Sequence, residues 1–153
     1  MNNEEIFRSY LRDSEYSLQE AKNALKEGVF HRAVRRSQES VELVIKGTLR
    51  LLGLDYPRKH EVGSLLETAV KNMSLPQEIA SALPEIKKIS AKLSLKRGPA
   101  FYGDEEALKT PEQLYTKKDA EEGIKDAEYT IKICKDIQTL WKKQLKLKTG
   151  KQA

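Results

Sequence analysis

The stretch FHRAVRRSQESVELVIKGTLRLLG, residues 30–53, decides the fold. Phe30, Ala33, Val34, Ser37, Val41, Val44, Ile45, Thr48 and Leu52 recur at steps of three and four, which sets them on one helix face for roughly six turns. Arg32, Arg35, Arg36, Gln38, Glu39, Glu42, Lys46 and Arg50 fall on the other faces. Glu42 stands one turn ahead of Lys46, in the orientation that favours an ion pair. A helix this regular is the expected centre of the core, and it is expected to scaffold any site the protein carries.

Working outward toward the N-terminus, residues 4–27 put Ile6, Tyr10, Ser14, Leu18, Ala21 and Leu25 on one face of a second amphipathic helix. Gly28 follows as its stop, and the two helices are expected to form an antiparallel hairpin. Toward the C-terminus, Pro57 in LDYPRKH disfavours helix at Tyr56 and marks a loop. Residues 60–73 then read as a short third helix through Val62, Leu65, Leu66, Ala69 and Val70. Ser74-Leu75-Pro76-Gln77 reads as a capped start to a fourth, with Ile79, Leu83, Ile86, Ile89 and Leu93 inward. Pro84 is expected to divide that helix and Gly98-Pro99 to end it. Residues 98–115 read as a loop with one helical turn after Thr110-Pro111. Thr116 opens the last helix, whose face is Ala120, Ile124, Ala127, Ile131, Cys134, Ile137, Trp141 and Leu145. The lysine-rich end, residues 142–153, is expected to fray.

No alternating segment bounded by hairpin turns occurs, so the fold expected is all-α: an up-down antiparallel bundle of about five helices. At 153 residues and 39% apolar content, one domain over residues 1–153, with its core in 5–140, is expected. Lys and Arg number 28 against 23 Asp and Glu, for a net charge of +5. That is a mixed surface open to acidic partners, not a nucleic-acid stripe. A single cysteine excludes an intramolecular disulfide, and no apolar run is long enough for a membrane span, so a cytoplasmic protein is expected. Gly-rich phosphate loops, paired cysteines, zinc-protease helices and serine elbows are absent, and no motif asks for a cofactor or a metal.

The run RAVRRSQESVELVIKGTLRLLGLDYPRKHEVGSLLE, residues 32–67, resembles the core of HEPN domains, named for higher eukaryotes and prokaryotes nucleotide-binding. The matching positions are Gln38, Glu42, Lys46, and His60 with Leu65 and Leu66. Residues 96–134 are similar to the family's arginine-tyrosine loop and the helix after it, with Tyr115, Thr116, Asp119 and Ala120 on its Tyr-Thr-x-x-Asp-Ala start. The resemblance implies a helical, commonly dimeric domain that binds nucleotides or RNA, often beside a small nucleotidyltransferase.

Many members resembling this chain are metal-independent ribonucleases in which an arginine stabilises phosphate charge and a histidine four to six residues later moves protons. After Arg97 this chain has Gly98, Pro99, Ala100, Phe101, Tyr102, Gly103 and Asp104, with no histidine. An ordinary tyrosine ionises near about 10 and is a poor general base at neutral pH. The resemblance therefore implies a non-catalytic binding module, with Arg97, Tyr102, Lys46, Arg36 and Asp104 as nucleotide- or RNA-binding candidates. The alternatives are an atypical endoribonuclease using Arg97 with His60 or Tyr102, and a structural homodimer or interaction protein without ligand.

Each candidate also has a plainer reading. Arg97 can satisfy helix-end carbonyls, Tyr102 can be buried with its hydroxyl bonded, and Lys46 can simply pair with Glu42. Arg35, with Arg36 and Lys46, can line an anionic pocket or can be a solvated face, while His31 and His60 can be structural.

Overall fold

The computed structural model describes residues 2–56 and 61–152. Among these described residues six helices follow in order: α1 (Asn3–Lys26), α2 (Phe30–Leu51), α3 (Gly63–Ala69), α4 (Gln77–Tyr102), α5 (Pro111–Leu114) and α6 (Lys117–Gln152). The expected single turn after Thr110-Pro111 is α5, and the helical class is as read from periodicity.

The four long helices run alternately up and down, with α2 and α6 as a parallel central pair. Gly123 of α6 lies against Ser37 of α2, and one end of the pair is closed by Ala33, Val34 and Ala120, all fully buried. Ion pairs Lys22–Glu128, Glu15–Lys135 and Glu4–Lys142 lay α1 antiparallel along α6. Lys92–Glu122, Lys92–Asp126 and Glu78–Lys132 do the same for α4 on the other side. The main core is Val41, Val44, Ile45 and Leu49 of α2, packed with Ile86, Ile89 and Leu93 of α4 and Cys134 and Ile137 of α6. Burial pushes the Cys134 thiol up to about 12, as expected of a cysteine that packs and does not react.

Local chemistry accounts for the helix ends. Asn2 caps α1 by accepting from the Glu5 amide at 2.9 Å, and the Glu5 carboxylate accepts from the Asn2 amide at 3.0 Å. Gly28, at φ 77°, reverses the chain into α2. Thr116 and Asp119 close a similar box at the start of α6.

Several boundaries differ from the reading of the sequence. Pro84 and Pro99 both lie inside one continuous α4. Pro84 is on the solvent face, where water can reach the carbonyl it leaves unpaired, while Ile79, Leu83 and Ile86 anchor both sides of it in the core. Past Pro99, burial of Ala100 against Val34 and Tyr115 holds the last turn. The N-cap of α4 is Pro76, without a side-chain cap; Ser74 instead accepts the Gln144 side-chain amide on its carbonyl at 3.0 Å. The third helix begins at Gly63, whose amide donates to Ser90 Oγ of α4 at 3.1 Å. The lysine-rich end continues the helix to Gln152 instead of fraying. Residue Phe7, missed as a core position, is fully buried because α1 is covered by both α2 and α6.

Candidate functional site

The extension of α4 past Pro99 is what builds the site. It places Phe101 one helical turn after Arg97, so that both project from the same face. The Arg97 guanidinium lies 5.1 Å from the Phe101 ring centre. From α2, Arg35 comes over the same ring at 3.5 Å. Two guanidinium groups from two helices thus share one phenyl ring by cation–π contact, worth about 0.5–1 kcal/mol each at an exposed position. Neither makes an ion pair among the described residues.

Next to this cluster Tyr102 is 76% exposed, and its ring is 5.8 Å from that of Phe101 at 34°. The plainer reading of Tyr102 as a buried, hydrogen-bonded residue is therefore wrong. The reason is that the buried tyrosine of this region is Tyr115, whose hydroxyl donates to the Lys96 carbonyl at 3.1 Å and whose pKa is raised by burial and by Asp119. Tyr115 packs with Val34 and Ala100 and fixes the end of α4 against α2.

Burial lowers the Arg35 pKa from its ordinary value, with Arg32, Arg36 and Arg97 adding positive charge around it and Glu39 opposing. Arginine stays protonated under all these conditions. The cluster is thus a concentration of positive charge next to an exposed aromatic face, with Glu39 acting on Arg35 and Asp104, Glu105 and Glu106 following Tyr102 in the chain. Such a surface can hold phosphate oxygens on its guanidiniums and stack a base on Tyr102.

The structure brings together only part of the expected set. Arg36 gives its guanidinium to Glu39 at 2.6 Å and Glu20 at 3.7 Å, and the Glu39 bond raises its pKa. Lys46 is 11 residues beyond Arg35 on α2, roughly 16 Å along the axis. It pairs with Glu42 at 3.3 Å, and both side chains are largely buried, at 17% and 13% exposure. Asp104 is engaged within its own loop, where its carboxylate accepts the Ala107 amide at 3.0 Å. His60 lies outside the described residues. Among the described residues, no group of three or more metal-ligating side chains is gathered, and no helix is long and apolar enough to cross a membrane.

Phe101 and the stacking role of Arg35 were missed. The signal was present as the four-residue step from Arg97 to Phe101, but it is readable only if the helix passes Gly98-Pro99.

The family model described as HEPN domain matches residues 7–137. The chain belongs to the HEPN-domain family. Among similar proteins, "Putative toxin MJ1304" of Methanocaldococcus jannaschii is 30% identical over 132 residues, covering 84% of this chain and 85% of that one. The crystal structure of TT1696 from Thermus thermophilus superposes with a TM-score of 0.70 at 20% identity, over 90% of this chain and 99% of that one, and shows the fold. That of ST0689, an archaeal HEPN homologue, does so with a TM-score of 0.63 at 25% identity, over 85% and 95%. In this HEPN domain, Arg97 and Tyr102 sit at the end of α4 and Arg35 in the first half of α2, on one shared face.

Proposed function

We propose that this HEPN domain is a non-catalytic nucleotide- or RNA-binding module of the cytoplasm, acting as a homodimer and alongside a nucleotidyltransferase-domain partner. The observation that carries the reading is the pair of guanidiniums of Arg35 and Arg97 on Phe101, with no ion pair to a carboxylate among the described residues, beside the exposed ring of Tyr102. Guanidiniums recognise phosphate through paired donors, and an exposed aromatic ring stacks on any base. Arg36, Lys46 and Asp104 have protein partners and play supporting parts.

Fluorescence anisotropy with a labelled single-stranded RNA and with ATP, at low and moderate salt and in EDTA, tests this. Saturable binding should weaken with salt, and Arg97→Ala should cost about tenfold or more while lowering the salt slope by roughly one. Binding by neither ligand, or binding untouched by Arg97→Ala and Arg35→Ala together, would overturn it.

A second reading is favoured by the relative named as a toxin. On that reading the chain is a toxin acting as a metal-independent endoribonuclease, with Arg97 on the phosphate and His60 or Tyr102 moving the proton. Its mark is growth arrest on expression, with RNA cut in EDTA and both effects lost in Arg97→Ala. Intact RNA after prolonged incubation removes it.

A further inference from the structure

One titratable group beside this face has no part in the reading above. His31 stands four residues before Arg35, one turn away on the same side of α2. With Gly28, Val29, Phe30 and Glu112 it lines a cavity of about 270 Å³ between the α1–α2 turn and α5. The charged groups acting on its ring are Glu112 from α5 and Arg32 and Arg35 from α2 itself. Arg35 in turn feels Arg97 of α4. The imidazole is thus a neighbour of the guanidinium cluster and opens on a space large enough for solvent or part of a ligand.

Resting on the reading of this face as an RNA-binding site, we propose that the site extends one helical turn to His31, which joins bound phosphate as an imidazolium, so that ligand binding takes up one proton from solvent. Without ligand, burial holds the ring below the ordinary histidine range and Arg32 and Arg35 add to the effect, while Glu112 alone opposes it. A phosphate seated on Arg35 offsets the repulsion from the arginines and adds a negative charge of its own. Both changes favour the protonated ring, which can then donate to a phosphate oxygen. Coupling of this kind is reciprocal: ligand raises the proton affinity of His31, and a proton on His31 raises the affinity for ligand.

The test uses a short 5′-hydroxyl oligouridylate, which has no terminal phosphate to titrate near neutrality. Its affinity for the full chain is measured at constant salt from pH 8 to pH 6, together with proton uptake by calorimetry in buffers of different ionisation enthalpy. Binding should tighten as pH falls, by up to about tenfold per unit between the free and bound values of the His31 pKa. His31→Gln should lose the dependence, its affinity changing little between pH 8 and pH 6, whereas His60→Gln should keep it. The chain has only two histidines, so their imidazole signals can be followed by NMR, with His31→Gln providing the assignment. The His31 signal should titrate at higher pH with saturating RNA than without. RNA that binds equally at pH 8 and pH 6, or a His31 titration unmoved by saturating RNA, overturns this inference and leaves the proposed function standing. Absence of RNA binding at every pH overturns this inference, and only together with absence of ATP binding does it overturn the proposed function.

Discussion

Phe101 shows how one side chain can gather charge from two helices. Its ring gives Arg35 and Arg97 a common surface, so two flexible cations from different helices are held in one place. Phe101→Leu keeps apolar volume and removes the π face. It should leave the melting temperature within about 2 °C, because the ring is 37% exposed, yet weaken RNA binding about fivefold. Circular dichroism and anisotropy on the same preparation would show whether the two effects separate. Tyr56 is a different case. Burial, reinforced by its hydrogen bond to the Tyr10 hydroxyl, pushes its pKa up to about 12. The folded state thus holds this proton more tightly than the unfolded chain, in which tyrosine ionises near about 10. The stability it contributes is present below pH 10 and is lost as pH rises from about 10 through 12. Urea titrations at pH 9 and 11.5 should show a smaller alkaline loss in Tyr56→Phe than in wild type.

Among the elements, the α1–α2 hairpin is closed by backbone approach as much as by apolar burial. Ser14 Oγ donates to the Ser40 carbonyl at 2.7 Å and Ser40 Oγ returns a bond to the Ser14 carbonyl at 2.8 Å, with both residues fully buried. Farther along, a Cβ at Gly47 would come within 2.6 Å of Tyr10 Cβ. Gly47→Ala sets two effects against each other. Alanine gains about 1 kcal/mol of helix propensity, but overpacking costs about 1–3 kcal/mol, and here the obstacle is a Cβ fixed to α1 that no rotamer change can move. Destabilisation should win, lowering the melting temperature by roughly 3–6 °C. Ser40→Ala should cost about 1–2 kcal/mol, since the Ser40 carbonyl still accepts from Ser14 while the bond to the Ser14 carbonyl and the 3.0 Å contact between the two hydroxyls are lost. Thermal melts of the two variants would rank them. The N-terminus of α2 differs from that of α1, which Asn2 caps. It has no side-chain cap and no acidic residue in its first turn, where the helix dipole favours negative charge. That absence was visible in the sequence, although its neighbourhood with α4 was not.

At the scale of the whole molecule, α6 runs 36 residues against 24 for α1, so its end reaches past the bundle. Among the described residues, the last polar ties along it are Lys142 to Glu4 at 2.6 Å and Gln144 to the Ser74 carbonyl at 3.0 Å. Beyond them the Thr149 hydroxyl bonds only within its own helix. Deleting residues 148–153 should therefore leave the melting temperature within about 1 °C. Deleting from Trp141 removes a half-buried indole and both ties, and should lower it by roughly 3–10 °C. Differential scanning calorimetry of the two truncations checks where the cooperative unit ends.

Periodicity in residues 30–53 was enough to make α2 the core helix, because a three-four apolar repeat has one way to be buried. Gly28, Thr110-Pro111 and Thr116 likewise announced their turns and caps through local backbone chemistry alone. The family resemblance, too, was legible in the ordered set from Gln38 to Ala120. Other outcomes rested on distant neighbours. Whether Pro84 and Pro99 break α4 depends on the core holding both sides of each proline, and local propensity argues the opposite way. Whether Tyr102 or Tyr115 is buried depends on which one meets Val34. The partnership of Arg35 with Arg97 joins positions 62 residues apart in sequence. Covalent order and residue type determine which helices form and where most of them start, because those choices are made within a few residues. Only the packing of α2 against α4 decides which charges meet, because that meeting is a property of two surfaces and is written in neither helix alone.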